Sequence, residues 1–173
     1  MQKRYGIKVS SKKDFIKLII ILALFFAIVF LVIKLATSPK SVASIEQVNE
    51  LLSSRGYTVQ DSTERYQTGS PGSGIVNVLT VEQDALVFQF FVFEDNDSAM
   101  NGYDVITTQI NKYRTKTQDV ATQGFHGNYI FRTLLANGKY YYLVRVGETL
   151  VYASGSESDQ SEINNLIASL GYV

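Results

Sequence analysis

From Leu18 to Ile33 the chain runs 16 residues without a polar side chain, LIIILALFFAIVFLVI, and beyond Ala36 this gives way to short helical and alternating patterns. At about 1.5 Å per residue, the stretch 15–36 makes a helix of roughly 33 Å, enough to cross a hydrocarbon core of about 30 Å. Lys17 and Lys34 stand near its two ends. There a four-carbon stem can carry the ammonium out to the headgroups. The pattern predicts a transmembrane helix over 15–36, a linker over 37–43 containing Pro39, and a folded domain over 44–173.

Within that domain, Ile45, Val48, Leu51 and Leu52 recur at helical spacing. Ser44 with Gln47 three residues on makes a capping box, and Gly56 suits the left-handed position after the last turn, so a helix is expected from about 45 to 55. Tyr57 to Asp61 reads as a strand. Gly69-Ser70-Pro71-Gly72-Ser73-Gly74 lacks the Lys and Ser/Thr of a phosphate loop and precedes a strand rather than a helix. It reads as a loose connection, in which Gly74→Ala should cost far less than Gly138→Val.

Ile75–Val81 and Leu86–Phe93 form an antiparallel hairpin through residues 82–85. Leu86–Phe93 is apolar on both faces and belongs inside a sheet covered on both sides. The acidic run Glu94-Asp95-Asn96-Asp97 is followed by Ala99 and Met100, where a calcium loop needs an oxygen ligand and a Gly. It is better read as a helix start capped by Asp95 or Asp97. Met100, Tyr103, Ile106, Ile110 and Tyr113 then give a stripe from about 97 to 113.

Tyr129–Leu135 and Tyr140–Val146 flank Asn137-Gly138, a type I′ turn signal, and Gly147-Glu148 makes a II′ turn into Leu150–Ala153. A last helix starts near Ser158 or Asp159, carries Ile163, Leu166, Ile167 and Leu170 on one face, and ends at Gly171. The order is α-βββ-α-βββ-α. An α+β domain follows, with a six-stranded antiparallel sheet packed by helices. VNELLSSRGYTV at 48–59 also matches INNLIASLGYV at 163–173 at an offset of 115. Internal duplication and independent use of a Gly-capped helix both fit this likeness.

Net charge is zero overall but strongly divided. Residues 1–36 carry seven basic groups against Asp14, or +6, and the remainder carries nine basic against fifteen acidic, or −6. Six of the seven basic residues precede the span, which predicts a cytoplasmic tail over 1–14, an extracytoplasmic domain and a single pass through the cell membrane. A cleaved signal peptide is the rival reading, with Val42-Ala43-Ser44 as a poor cleavage site. The apolar run exceeds the usual h-region of about 7 to 15 residues, which favours an uncleaved anchor. The basic tail suits anionic headgroups better than nucleic acid, and the bilayer is the partner it implies. The chain has no Cys, so disulfides, thiolate metal sites and a cysteine nucleophile are excluded.

Candidate chemistry is sparse. His126, the only histidine, lies between Phe125 and Gly127 and reads as a loop residue rather than a general base. Glu82 and Asp84 sit in a turn. Scattered carboxylates show no metal-ligand spacing, and no serine stands in a nucleophile elbow. No cofactor, metal or catalytic set is expected.

The strand register does give a candidate partner face. With a two-residue turn at 137 and 138, Leu135 faces Tyr140, Thr133 faces Tyr142 and Phe131 faces Val144, on the side taken as the core. The other side gathers Ile130, Arg132, Leu134, Tyr141, Leu143, Arg145, Leu150 and Tyr152. Arg and Tyr on an apolar ground are enriched at binding hot spots. Either a helix covers this face, or it meets a protein, a second copy of the chain or an anionic envelope polymer. The leading expectation is a membrane-anchored extracytoplasmic binding or adaptor domain. A subunit of a pilus, secretion or ring assembly is the alternative, because an apolar amino-terminal helix ahead of an α+β domain is similar to pilin organisation. The pilin processing motif and the acid within the apolar helix are missing. An enzyme acting on envelope material ranks third.

Overall fold

The structure is a computed structural model that describes residues 12–36, 39–70, 73–114, 120–126 and 128–172, with 12–14, 35, 36 and 120–126 described by backbone alone. Residues 1–11 of the basic tail and Pro71-Gly72 lie outside the described residues. The chain divides into two units, Met1–Ser38 and Pro39–Val173. In the first, α1 spans Lys12–Ala36. Its segment Phe15–Lys34 is long and apolar enough to cross a membrane, and none of it is buried. Phe30 is 69% exposed, an arrangement water would oppose and lipid would not.

The second unit runs α2 (Ile45–Ser54), β1 (Gln60–Asp61), α3 (Thr63–Gly69), β2 (Ile75–Gln83), β3 (Leu86–Phe93), α4 (Asn96–Asn111), β4 (Val120–His126), β5 (Tyr129–Ala136), β6 (Lys139–Val146), β7 (Thr149–Ser156) and, after a 3₁₀ turn at Glu157–Asp159, α5 (Gln160–Ser169). All strand pairs are antiparallel. The order across the sheet is β1-β2-β3-β7-β6-β5-β4. This α+β architecture agrees with the sequence reading. The element order differs from it, since α3 and β4 were not anticipated.

Strand periodicity splits the core in two. Phe88 and Phe90 of β3, Tyr140, Tyr142 and Val144 of β6, and Val151 and Ala153 of β7 pack with Val48 and Leu52 of α2 and Ile163, Leu166 and Ile167 of α5. Phe91 and Phe93 of β3, Tyr141 and Leu143 of β6, and Leu150 of β7 pack with Ala99, Tyr103 and Ile110 of α4. The first side is the one expected from the register, and the second is equally a core. Each fully buried large apolar side chain contributes about 1.5 to 3 kcal/mol, so each covering helix is held mainly by this burial. As its two-sided apolar pattern requires, β3 lies inside the sheet.

Local signals match where they were read. Ser44 Oγ accepts from the Gln47 amide at 3.3 Å and Gln47 Oε1 accepts from the Ser44 amide at 2.9 Å, closing the capping box. Asp95 caps α4 through the Ser98 amide at 2.7 Å. Asn137 and Gly138 have φ of 54° and 73°, as a I′ turn requires. The β2–β3 hairpin is tighter than expected. The strands pair through Gln83 and Leu86, leaving Asp84 at φ 52° in a two-residue turn.

Gly74 corrects the reading of its loop as loose. Its φ is +69°, and a Cβ there would lie 2.5 Å from Ser98 Oγ and 2.7 Å from Ser98 Cβ. Its carbonyl accepts the Glu94 amide at 2.8 Å. A backbone pressed against the first turn of α4 has no room for a methyl group.

The two matched segments end alike. Gly56 and Gly171 both take positive φ. In each case the following Tyr amide bonds to a carbonyl five residues back, Tyr57 to Leu52 at 3.1 Å and Tyr172 to Ile167 at 3.2 Å. These are matching Schellman caps. The two matched helices, α2 and α5, pack on the same face of the sheet.

Residues 40–43, within the stretch read as linker, are tied to the folded unit. The Lys40 amide donates to Asn128 Oδ1 at 2.9 Å and Asn128 Nδ2 donates to the Lys40 carbonyl at 2.8 Å. The Ala43 amide donates to the buried Tyr172 hydroxyl at 2.9 Å, which also bonds Thr149 Oγ1 at 2.7 Å.

Candidate functional site

The eight residues of the predicted partner face do come together. Ile130 pairs with Arg145, Arg132 with Leu143 and Leu134 with Tyr141, while Leu143 and Arg145 pair with Tyr152 and Leu150 across the next strand. They do not form an open surface, because α4 lies over them. Leu134, Leu143 and Leu150 are fully buried, Ile130 and Arg145 are each 7% exposed, and Tyr141 is 6% exposed. A helix covers this face, so the arginine pair offers no open patch to an anionic polymer. Five adjacent apolar positions on one sheet face attract an amphipathic helix of the same chain, and the stripe on α4 supplies it.

Each arginine is used locally. Arg132 Nη2 donates to Asn111 Oδ1 at 2.6 Å, fastening the last turn of α4. Arg145 Nη1 donates to the Gly147 carbonyl at 2.7 Å and to Asn96 Oδ1 at 3.4 Å, fastening the first turn. Burial lowers the Arg145 pKa, with Tyr103 acting in the opposite sense. Together they hold α4 at both ends.

One member of the face, Tyr152, lines a cleft of about 120 Å³ together with Gln89, Ile106, Gln109, Ile110 and Tyr113. Its floor is a row across the sheet, in which Gln89 of β3 pairs with Tyr152 of β7. Gln89 Nε2 donates to the hydroxyl of Tyr66, on α3, whose ring meets Phe91 edge-on at 5.2 Å. The wall is Tyr113, just past α4. Its ring lies parallel to that of Tyr141, with 5.2 Å between centroids and 5° between planes. Its carbonyl accepts from Asn137 Nδ2 at 3.3 Å, so the I′ turn helps to set its position. Tyr113 is 51% exposed and presents the ring to solvent.

The lining carries amides, phenols and aliphatic groups, with no charged side chain among the described residues. Burial raises the phenol pKa of Tyr152, and neighbouring Tyr113 and Tyr66 add to this against a hydrogen bond from Ser154. Burial also raises that of Tyr141, with Tyr152 and Tyr113 adding to it. The phenols therefore stay protonated at neutral pH, able to donate and accept. Stacking surface beside bidentate amides suits recognition of a neutral molecule.

Sequence reasoning found Tyr141 and Tyr152 and missed Tyr66, Gln89 and Gln109. One signal was available. Gln89 is the lone polar residue in Leu86–Phe93, an amide inside a strand otherwise built for a core. The side chain of His126 lies outside the described residues, and its backbone ends β4 opposite Tyr129. Among the described residues no group of three His, Cys, Asp or Glu could hold a metal ion. Glu82 and Asp84 are exposed at the β2–β3 turn. Asp84 also borders a second depression of about 240 Å³ with Asp159 and Glu162. There Glu162 is engaged by Arg55 Nη1 at 3.1 Å and the Tyr57 hydroxyl at 3.2 Å.

The chain matches no protein-family model and no curated protein. Among solved structures it is similar to a GTP-binding regulator from Thermotoga maritima at 14% identity and a TM-score of 0.42, over 78% of this chain and 89% of that one. It is also similar to the extracellular domain of PknH from Mycobacterium tuberculosis at 12% identity and a TM-score of 0.35, over 78% of this chain and 96% of that one.

Proposed function

We propose that this chain is a single-pass membrane protein whose folded unit works outside the cytoplasm as a non-catalytic binding module, with the tyrosine cleft as its binding site. The observation that carries the reading is α1, twenty residues of exposed apolar helix from Phe15 to Lys34, on the same chain as a unit with its own two-sided core. The basic excess before the span orients the amino terminus inward, and the acidic remainder faces out. Concave, uncharged and lined by rigid rings, the cleft has the make-up of a recognition site.

The test is labelling of Ser161→Cys, an exposed position of α5 in a chain with no other thiol. A membrane-impermeant maleimide should modify it in intact cells. Modification only after lysis would refute the orientation, and recovery of the protein in the soluble fraction, shortened at its amino terminus, would refute the anchor.

A further inference from the structure

We propose that the cleft between α4 and the β3–β7 floor binds one ring of a neutral saccharide chain. This inference rests on the reading of the unit as a binding module and names its ligand class. A sugar ring offers a flat C–H face flanked by hydroxyls that both donate and accept. The cleft offers the counterparts: the outward face of Tyr113, held parallel over Tyr141 at 5.2 Å, and the amides of Gln89 and Gln109. An amide presents a donor and an acceptor side by side and so matches two neighbouring hydroxyls. Gln89 is already oriented, since it donates one N–H to the Tyr66 hydroxyl and keeps its oxygen and second N–H for another partner.

Size and charge narrow the class. At about 120 Å³ the cleft is well below the roughly 300 Å³ at which pockets begin to enclose drug-sized ligands, so it takes a single ring of a longer molecule. An acidic saccharide would need a cation in the lining, and none lines it among the described residues, since Arg145 bonds Asn96 and the Gly147 carbonyl and Arg132 bonds Asn111. A proline-rich peptide also seeks tyrosine grooves, but its backbone supplies only carbonyl acceptors to such a site and leaves the amide oxygens unpaired.

The experiment is calorimetric titration of the full chain in phosphocholine micelles, free of sugar-headed detergent. The probes are the neutral β-1,4-glucose, α-1,4-glucose and β-1,4-N-acetylglucosamine tetrasaccharides, with tetragalacturonate and decaproline as contrasts. At least one neutral tetrasaccharide should bind more tightly than either contrast. Tyr113→Ala should weaken that binding about twofold to tenfold, the range of a lost stacking contact, while Tyr113→Phe keeps it. Gln109→Arg, on the exposed side of α4, crowds the same cleft and should also weaken it, which keeps the test decisive if Tyr113→Ala fails to fold. Absence of binding to all three neutral probes by the folded chain would overturn the inference. So would tighter binding of tetragalacturonate or decaproline, or undiminished binding in a folded variant of either position. None of these results alters the labelling of Ser161→Cys, so the ligand class and the topology fail separately.

Discussion

Replacing Gly74 by Ala isolates a close approach that the chain's own loop chemistry conceals. Two costs act at this position. At φ +69° an L residue carries roughly 1 to 2 kcal/mol of left-handed strain. The new methyl would also sit 2.5 Å from Ser98 Oγ and 2.7 Å from Ser98 Cβ, well inside contact distance, on a residue whose amide is held by Asp95. Overpacking of this kind costs typically 1 to 3 kcal/mol. Gly138→Ala meets only the first cost, since φ is +73° and no atom lies within 4 Å. Urea unfolding of residues 39–173 should therefore show a loss of about 2 to 5 kcal/mol for Gly74→Ala and about 1 to 2 kcal/mol for Gly138→Ala. In thermal unfolding each kcal/mol lowers Tm by roughly 3 to 5 °C in a domain of this size. Ser98→Gly removes both clashing atoms, at a helix cost of about 1 kcal/mol, so the double variant should recover at least about 1 kcal/mol relative to additivity. Equal losses at the two glycines, or strict additivity with Ser98→Gly, would refute the close approach.

Thr80 is 3% exposed and its Oγ1 has no partner among the described residues, so Thr80→Val should stabilise the unit by about 1 kcal/mol in the same assay. A loss of stability would mean that an ordered water serves this hydroxyl. Alkaline titration should read the buried phenols. Burial raises the pKa of Tyr103, Tyr140, Tyr142, Tyr152 and Tyr172, so each holds its proton more tightly folded than unfolded. The stability this confers is complete below about pH 10 and is lost as pH rises beyond it. Ionisation of these five should coincide with loss of near-ultraviolet dichroism, and more than six phenolates forming on an intact fold, of the chain's eleven tyrosines, would refute the burial.

Legibility along the chain followed the range of the interactions. Capping boxes, Gly caps and the Asn137-Gly138 turn are written within a few residues, and both the cap of α2 and the register of β5 with β6 came out as read. Two elements were not visible. The segment α3, TERYQTG, is seven residues with none buried, so it carries no apolar stripe, and its place is fixed by Gln67 bonding the Ile75 carbonyl at 2.9 Å. In β4, VATQGFH, a Gly and a Gln interrupt the β-branched run, and its strand state comes from pairing with β5. The cover of the candidate partner face was not legible for a related reason. Register assigns side chains to a face but does not say what lies over that face, and the stripe on α4 reads the same whether it covers β6 and β7 or another surface. Strand pairing sets Gln89 beside Tyr152 on the floor of the cleft, and only the packing of α4 brings Ile106, Gln109 and Tyr113 to them.

The strap at Lys40–Ala43 gives the unit a load path. Tension carried along the backbone from residue 38 meets first the reciprocal pair between Lys40 and Asn128, two hydrogen bonds of 2.9 and 2.8 Å that share the pull. It then meets the single bond from Ala43 to Tyr172. Tyr172 passes the force through Thr149 to the first residue of β7, the middle strand of the sheet, rather than to an edge that could peel. The couplings lie in series, so they yield one after another while the ladder of the sheet stays shut. A pull at the start of the unit is thus spent on three hydrogen bonds before it reaches the strands.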